Sequence, residues 1–308
     1  MTDALIGAAV AALRAGNIVA LPTETVYGLA ADAANDAAVR RIFTVKNRPA
    51  NHPLIVHVPD RDALVRYAAE RDARADALTE RFWPGPLTVI VRKSGLVSDV
   101  VTAGQPTVAL RMIDHPLTSA ILRDLGRAVA APSANRFGRV SPTTAQHVRD
   151  DLGADVDLIV DGGPARVGVE STIVDLTATV PAVVRVGAIG ARAIGDVLGT
   201  PIDVRTDGSI RASGTHASHY APRAAVVLVE AHQRDAEAAR RTARGEHVAL
   251  LPLIRDPSAA ARGLYAALRA FDAAGCDTIL ATLPPADERN AAVRDRLTRA
   301  AAPRGQRS

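Results

Sequence analysis

Apolar residues fall in short runs along this chain, separated by turns rich in proline, glycine and hydroxyl side chains. The most informative run is IVAL at 18–21, which stops at Pro22. Proline fixes its own φ and pushes the preceding residue towards extended geometry, so a strand should end there. The turn that follows, Thr23-Glu24-Thr25, carries only oxygen-bearing side chains. A helix is expected next, with Asn35 as N-cap and Val39, Ile42 and Phe43 on one face. It runs into Lys46-Asn47-Arg48, two cations placed where Pro49 forbids further helix. A second strand at 54–58 carries His57. Polar turns delivered to the end of one sheet are how open α/β proteins build ligand sites.

The same punctuation continues. Residues 1–16 read as an amphipathic helix closed by a glycine C-cap. Helices are expected at 60–67 and up to Phe82, then a rigid Trp83-Pro84-Gly85-Pro86 corner and a strand at 87–91. TVALR at 107–111 reads as a strand with Arg111 at its carboxyl end, followed by a helix from Pro116 to about Leu125. A strand at 128–131 ends at Pro132 and leads into Ser133-Ala134-Asn135, again polar side chains just past a strand. Ser141-Pro142 predicts a capped helix start. Strands at 158–160, 172–174 and 182–186 and a helix at 188–198 complete an α/β unit whose neighbouring strands imply a mixed sheet. Residues 206–221 lack apolar periodicity and read as linker. Strands at 224–229, 247–251 and 278–281 with helices at 259–270 and 286–301 predict a second, small α/β module. The resulting domains are 1–200, a linker at 201–223, and 224–308.

Composition narrows the classes. With 48% hydrophobic residues but 3% aromatics, the core must be built from Ala, Val, Leu and Ile. The net charge of +4 is weak evidence for nucleic acid. Lys46 and Lys93 are the only lysines among 37 basic residues, which sets Lys46 apart, because a compact ammonium does what a planar guanidinium cannot. One cysteine, Cys276, excludes an internal disulfide and any multi-cysteine metal cluster. No signal-like segment or apolar run of membrane-spanning length occurs, so no membrane partner and a cytoplasmic location are expected.

Familiar nucleotide signatures are absent: there is no P-loop and no G-x-G-x-x-G. There is no H-E-x-x-H, and His216 with His219 makes a poor metal site, so no protein-held metal is expected. What remains is a set of cations and hydroxyls at strand ends: Lys46, Arg48, Arg111 and Arg185 with Thr25, Ser133, Asn135, Ser141 and Ser171. Each alone has an ordinary reading as a solvated face or a cap. Together they suit a polyanion, since phosphoryl chemistry rests on positioning and charge neutralisation.

PTETVYGL (22–29), KNRPANHPL (46–54), FWPGPLT (82–88), TVALR (107–111), PSAN (132–135), SPTT (141–144), VESTIVD (169–175) and HYAP (219–222) resemble the YrdC-like family in its two-domain form. LYAALRAFD (264–272) extends the resemblance into the second module. Asn47 stands where that family has glycine, and Val186 where it commonly has proline. The resemblance implies a YrdC-like twisted mixed open sheet with flanking helices, carrying the catalytic site, plus a small C-terminal Rossmann-like α/β domain.

It also implies a nucleotidyltransferase that converts ATP, L-threonine and bicarbonate to threonylcarbamoyl-AMP and pyrophosphate, with Mg²⁺ accompanying ATP. Downstream would stand the machinery that transfers the threonylcarbamoyl group to tRNA. Carried over residue by residue, threonine falls to Thr25, His57, Arg111, Ala131 and Ser171. ATP falls to Lys46, Arg48, His52, Thr107, Ser133, Asn135, Ser141 and Arg185, with Tyr220 closing over it from the linker; Lys46 and Arg48 take the catalytic role. Read from the residues alone, the segment up to Tyr220 is either a lid or a tether. Two other functions stay open at this point: a non-catalytic module for double-stranded RNA or tRNA, and a related carbamoyl-transfer enzyme. The scarcity of aromatics for base stacking speaks against the first.

Overall fold

Strand β1 (Val19–Leu21) turns back through the PTET loop into β2 (Gly28–Asp32), an antiparallel pair with Val19 opposite Ala30. In the computed structural model, which describes residues 2–206, 214 and 220–303, this hairpin lies near one edge of a large sheet. Helix α1 (Thr2–Arg14) covers it with Ala9, Val10 and Leu13, and Gly16 follows at φ +80° as the sequence requires. Asn35 caps α2 (Asp36–Lys46) by accepting from the Ala38 N–H, and Val39, Ile42 and Phe43 are buried. The helix ends at Asn47, whose φ of 51° is left-handed. Asparagine tolerates that region better than other residues with a Cβ, so it can stand where glycine is usual.

The remaining strands of this unit are β3 (Ile55–His57), β4 (Leu87–Arg92), β5 (Thr107–Arg111), β6 (Val129–Ala130), β7 (Leu158–Ile159), β8 (Thr172–Asp175), β9 (Ala182–Arg185) and β10 (Asp203–Val204). They form one ten-stranded sheet in the order β10-β9-β8-β4-β5-β3-β6-β2-β1-β7. Four pairings are parallel (β1 with β7, β3 with β5, β4 with β8, β9 with β10) and the others antiparallel, the mixed sheet expected. Helices α3 (Ala63–Tyr67), α4 (Ala73–Phe82), α5 (Asp99–Thr102), α6 (Pro116–Leu125), α7 (Ala145–Leu152) and α8 (Ala191–Leu198) flank it.

Three local expectations are corrected. Residues 28–32 are a strand rather than the approach to a helix. Ser141 and Pro142 do not start α7; Thr144 is its cap, accepting from the His147 N–H, while Ser141 Oγ is drawn away to Glu170. Asp203–Val204, read from sequence as linker, hydrogen-bonds to β9 as an edge strand.

The second unit has β11 (Ala225–Leu228), β12 (Val248–Leu250) and β13 (Thr278–Ala281), all parallel, with α9 (Arg234–Thr242) and α10 (Pro257–Ala273) between them and α11 (Ala291–Ala301) after. The strand order β11-β13-β12 puts the last strand in the centre. Helices interleave with parallel strands as in a Rossmann-like unit. Val26 and Val140 of the first unit share its hydrophobic cluster, with Tyr265, Leu268 and Val293. Gly168 lies so close to the α10 backbone that an added Cβ would stand 2.5 Å from Arg262 Cα, so only glycine fits there.

Candidate active site

The carboxyl ends of β3 and β5 lie side by side, with His57 registered against Arg111. The PTET loop closes over them. Arg111 donates from Nη2 to Thr25 Oγ1 at 2.8 Å and from Nε to the Gly85 carbonyl at 3.2 Å. The same Nη2 stands 2.7 Å from Glu24 Oε1, an ion pair buried on both sides. Its alignment is too poor for a hydrogen bond, since Oε1 has no such partner. His57 Nε2 lies 3.2 Å from the Ala131 carbonyl. A carbonyl only accepts, so the proton sits on Nε2 and Nδ1 presents a lone pair. That Nδ1 is buried and without a partner. Burial, then the Arg111 charge, pulls the imidazole down to about 3, so it is neutral at ordinary pH.

A cationic wall faces this corner. Lys46, the last residue of α2, is buried and donates from Nζ to the Ser133 carbonyl at 2.5 Å and to the Asn135 carbonyl. It therefore ties α2 to the PSAN turn. Burial, then the neighbouring Arg48 charge, lowers its pKa well below the usual lysine value. Arg48 donates from Nη2 to the Pro53 carbonyl, lies over the Phe137 ring at 5.6 Å, and keeps a buried Nε without a hydrogen-bond partner. Burial brings its guanidinium down to about 10. Arg185, at the end of β9, reaches Ser171 through both Nε to the carbonyl and Nη2 to Oγ, at 3.0 and 2.8 Å. Thr25, Lys46, Arg48, His57, Arg111, Ala131, Ser133, Asn135 and Arg185 line one cleft in the first unit, joined there by Tyr220 from the linker.

Residues 11–187 match the Sua5/YciO/YrdC family model, described as Telomere recombination, and residues 186–302 match Threonylcarbamoyl-AMP synthase, C-terminal domain. The chain belongs to the Sua5/YciO/YrdC family. Curated relatives called Threonylcarbamoyl-AMP synthase include one from Pyrococcus abyssi, 39% identical over 87% of this chain and 86% of its own. Another, from Bacillus subtilis, is 39% identical over 97% of this chain and 93% of its own. The solved structure of P. abyssi Sua5 complexed with L-threonine superposes with a TM-score of 0.92 at 38% identity, over 98% of this chain and 95% of that one.

Within this Sua5/YciO/YrdC cleft four expected residues stand apart from the lining. Ser171 is buried, with Oγ held by Thr88 and Arg185. Ser141 is buried and donates to Glu170. His52 packs beside Phe137, ring centres 5.3 Å apart. Thr107 begins β5, roughly 13 Å of extended chain from Arg111, at the far end of the strand. His216 and His219 lie outside the described residues, as does the segment 213–220 read as a lid or tether, apart from Gly214 and Tyr220.

Two acidic residues escaped the sequence reading. Glu24 pairs with Arg111, and Glu170, half of whose motif was read for its serine, lines the cleft. The available signal was charge inside apolar surroundings: Glu170 sits in VGVESTIV, where a buried carboxylate demands partners. Burial alone would raise its carboxyl, but Arg296, then Arg185 and the Ser141 hydroxyl, hold it down to about 2.

Proposed function

We propose that this chain is a threonylcarbamoyl-AMP synthase, forming threonylcarbamoyl-AMP and pyrophosphate from ATP, L-threonine and bicarbonate. One observation carries the reading: a carboxylate-binding corner and a cationic wall meet in a single cleft, in a chain whose near full-length relatives bear that name. In the first corner Arg111 is suited to the threonine carboxylate and the His57 Nδ1 lone pair to its ammonium or hydroxyl. The Thr25 hydroxyl, already oriented by Arg111 and 2.9 Å from Thr23 Oγ1, adds a further polar contact.

The chemistry needs little covalent help. The threonine amine, once deprotonated, adds to the carbon of bicarbonate with loss of water and gives an N-carboxylate. One oxygen of that carbamate attacks the α-phosphorus of ATP; the new P–O bond forms as the bond to pyrophosphate breaks. The nucleophile is already anionic, so no serine or cysteine is required. Lys46, Arg48 and Arg185 hold the triphosphate and offset the charge that moves onto the leaving group. Among the described residues no group of three or more His, Cys, Asp or Glu side chains is placed to hold a metal. Mg²⁺ would enter with ATP on the phosphate oxygens and water, where it would neutralise phosphate charge.

The adenylate is an activated acyl donor, suited to supply the threonylcarbamoyl group for tRNA modification. No helix among the described residues is long and apolar enough to cross a membrane. The test is pyrophosphate release from ATP by the purified chain. Release that requires both threonine and bicarbonate supports the reading, and release indifferent to either overturns it. An RNA-binding module would show instead a steep salt-dependent affinity and no turnover.

A further inference from the structure

The second unit does more than flank the cleft. Helix α10 presents Arg262, Tyr265 and Arg269, one face at i, i+3 and i+7, to the catalytic unit. Arg262 Nε donates to the Arg166 carbonyl at 3.0 Å. Arg269 donates to the Ser141 and Val140 carbonyls and pairs with Asp151 at 2.6 Å. Tyr265, fully buried, donates its hydroxyl to Glu170 Oε2 at 2.9 Å. From α11, Arg296 donates Nε to the same oxygen at 2.9 Å and is itself steadied by Asp295 at 2.5 Å. Arg296 is the largest fully buried side chain among the described residues. Its guanidinium carbon lies 4.8 Å over the Tyr220 ring, which on another side stacks with Tyr265 at 5.8 Å.

We propose that Arg296 and Tyr265 of the second unit are positioning residues for the nucleotide side of the cleft, acting through Glu170 and Tyr220. Glu170 takes both contacts on one oxygen and uses the other to hold Ser141 Oγ at 2.5 Å. It also faces Arg185, whose charge it balances. Three residues assigned to ATP (Ser141, Arg185 and Tyr220) therefore have their places set by groups on α10 and α11. Of the residues assigned to threonine, His57 hydrogen-bonds Ala131 and Arg111 hydrogen-bonds Thr25, all within the first unit, and Ser171 joins this network through Arg185, so the nucleotide should respond more than threonine.

The titratable and charged groups around Glu170 are Arg296 and Asp295 from α11, Tyr265 from α10, Arg185 from β9, and Tyr220 before β11. Tyr220 and Tyr265 are both pushed upward by burial and by the Glu170 charge, so they remain neutral. Glu170 is thus the group whose proton uptake would change the wall, and Arg296 is its strongest restraint after burial is overcome.

This inference rests on the proposed activity, and direct ligand binding separates the two. Calorimetry would give dissociation constants for ATP and for threonine, and pyrophosphate release would be followed from pH 5 to 8. Arg296→Met should weaken ATP roughly tenfold or more while threonine stays within about twofold. It should also bring an acid limb into kcat/KM for ATP, because Glu170 loses its main cation and titrates upward. Glu170→Gln/Arg296→Met, with no carboxylate to titrate, should lack that limb; it also keeps the test alive should the single variant misfold. Tyr265→Phe should weaken ATP in the same direction by less. Equal loss for both ligands, or an acid limb that persists in the double variant, would overturn the proposal. Failure of wild type to release pyrophosphate would sink the activity and leave the binding comparison standing.

Discussion

Glu24 and Arg111 face each other across 2.7 Å inside the cleft wall, so the arginine suited to substrate already has a buried carboxylate beside it. Breaking a buried pair strands the survivor, at a typical cost of ~3–5 kcal/mol. Arg111→Ala should therefore lower stability as well as raise the KM for threonine far above any change for ATP. The two effects separate in Glu24→Gln/Arg111→Met, which leaves no lone charge. Urea unfolding should show that variant well above Arg111→Ala in stability, while threonine binding stays lost. Recovery of threonine binding in the double variant would place the carboxylate elsewhere.

His57 should leave a signature in stability against pH. Its folded value of about 3 lies below the ordinary 6.5, so between those values the unfolded chain holds a proton the folded one refuses. Stability is then full above about pH 6.5 and falls as pH drops, by up to ~1.4 kcal/mol per pH unit from this one group. Between pH 6.5 and 5 that amounts to about 2 kcal/mol. His115 and His147 are also shifted down, by burial first, and contribute in the same sense. Urea midpoints of His57→Gln should be flatter over this window than wild type, and identical slopes would show that His57 is ionised in the fold.

Lys46 should resist replacement by arginine. Its ammonium fits a fully enclosed position between two backbone carbonyls, and a guanidinium is broader and planar. Lys46→Arg and Lys46→Met should both reduce pyrophosphate release by about 100-fold or more, the size usual for losing a preorganised charge-stabilising group. A Lys46→Arg enzyme with near wild-type turnover would show that only charge matters there.

Asn47 offers a gentler test. At φ 51° glycine should be neutral or slightly stabilising, whereas Asn47→Val should cost about 1–2 kcal/mol for forcing a β-branched residue into the left-handed region. Thermal unfolding would rank the three. Activity should follow stability only in the valine variant.

Much of this architecture was legible because it is written locally. Asn35, Pro116 and the 107–111 strand each announce themselves through chemistry within a few residues. Strand β2 did not, because GLAAD is buried along its whole length and its small side chains show no alternation. Ser141 looked like a helix cap, and the hydroxyl is indeed committed, but to a carboxylate 29 positions away. Arg296 could not be singled out among so many arginines, since its burial is produced by contacts between units. In the cleft, cations and hydroxyls were recognisable by type and place. The carboxylates that orient them were not, because an acidic residue draws attention only when its burial is known.

The pairing of β1 with β7 bears on how the molecule comes into being. Val19 lies against Leu158, and the Ile18 N–H is held by Asp157 at 2.7 Å, so the earliest strand waits for a segment made far later. The join of Leu87 to Thr172, towards the other end of the sheet, has the same character. Contacts this distant along the chain place folding at the slow end of the range for domains, with unpaired edges exposed meanwhile. Thr25, Lys46, Arg111, Ser133 and Arg185 are delivered by segments that meet only when those late pairings close. During synthesis or refolding, ligand binding should therefore appear in the final phase, with no early fragment of the chain holding a usable cleft.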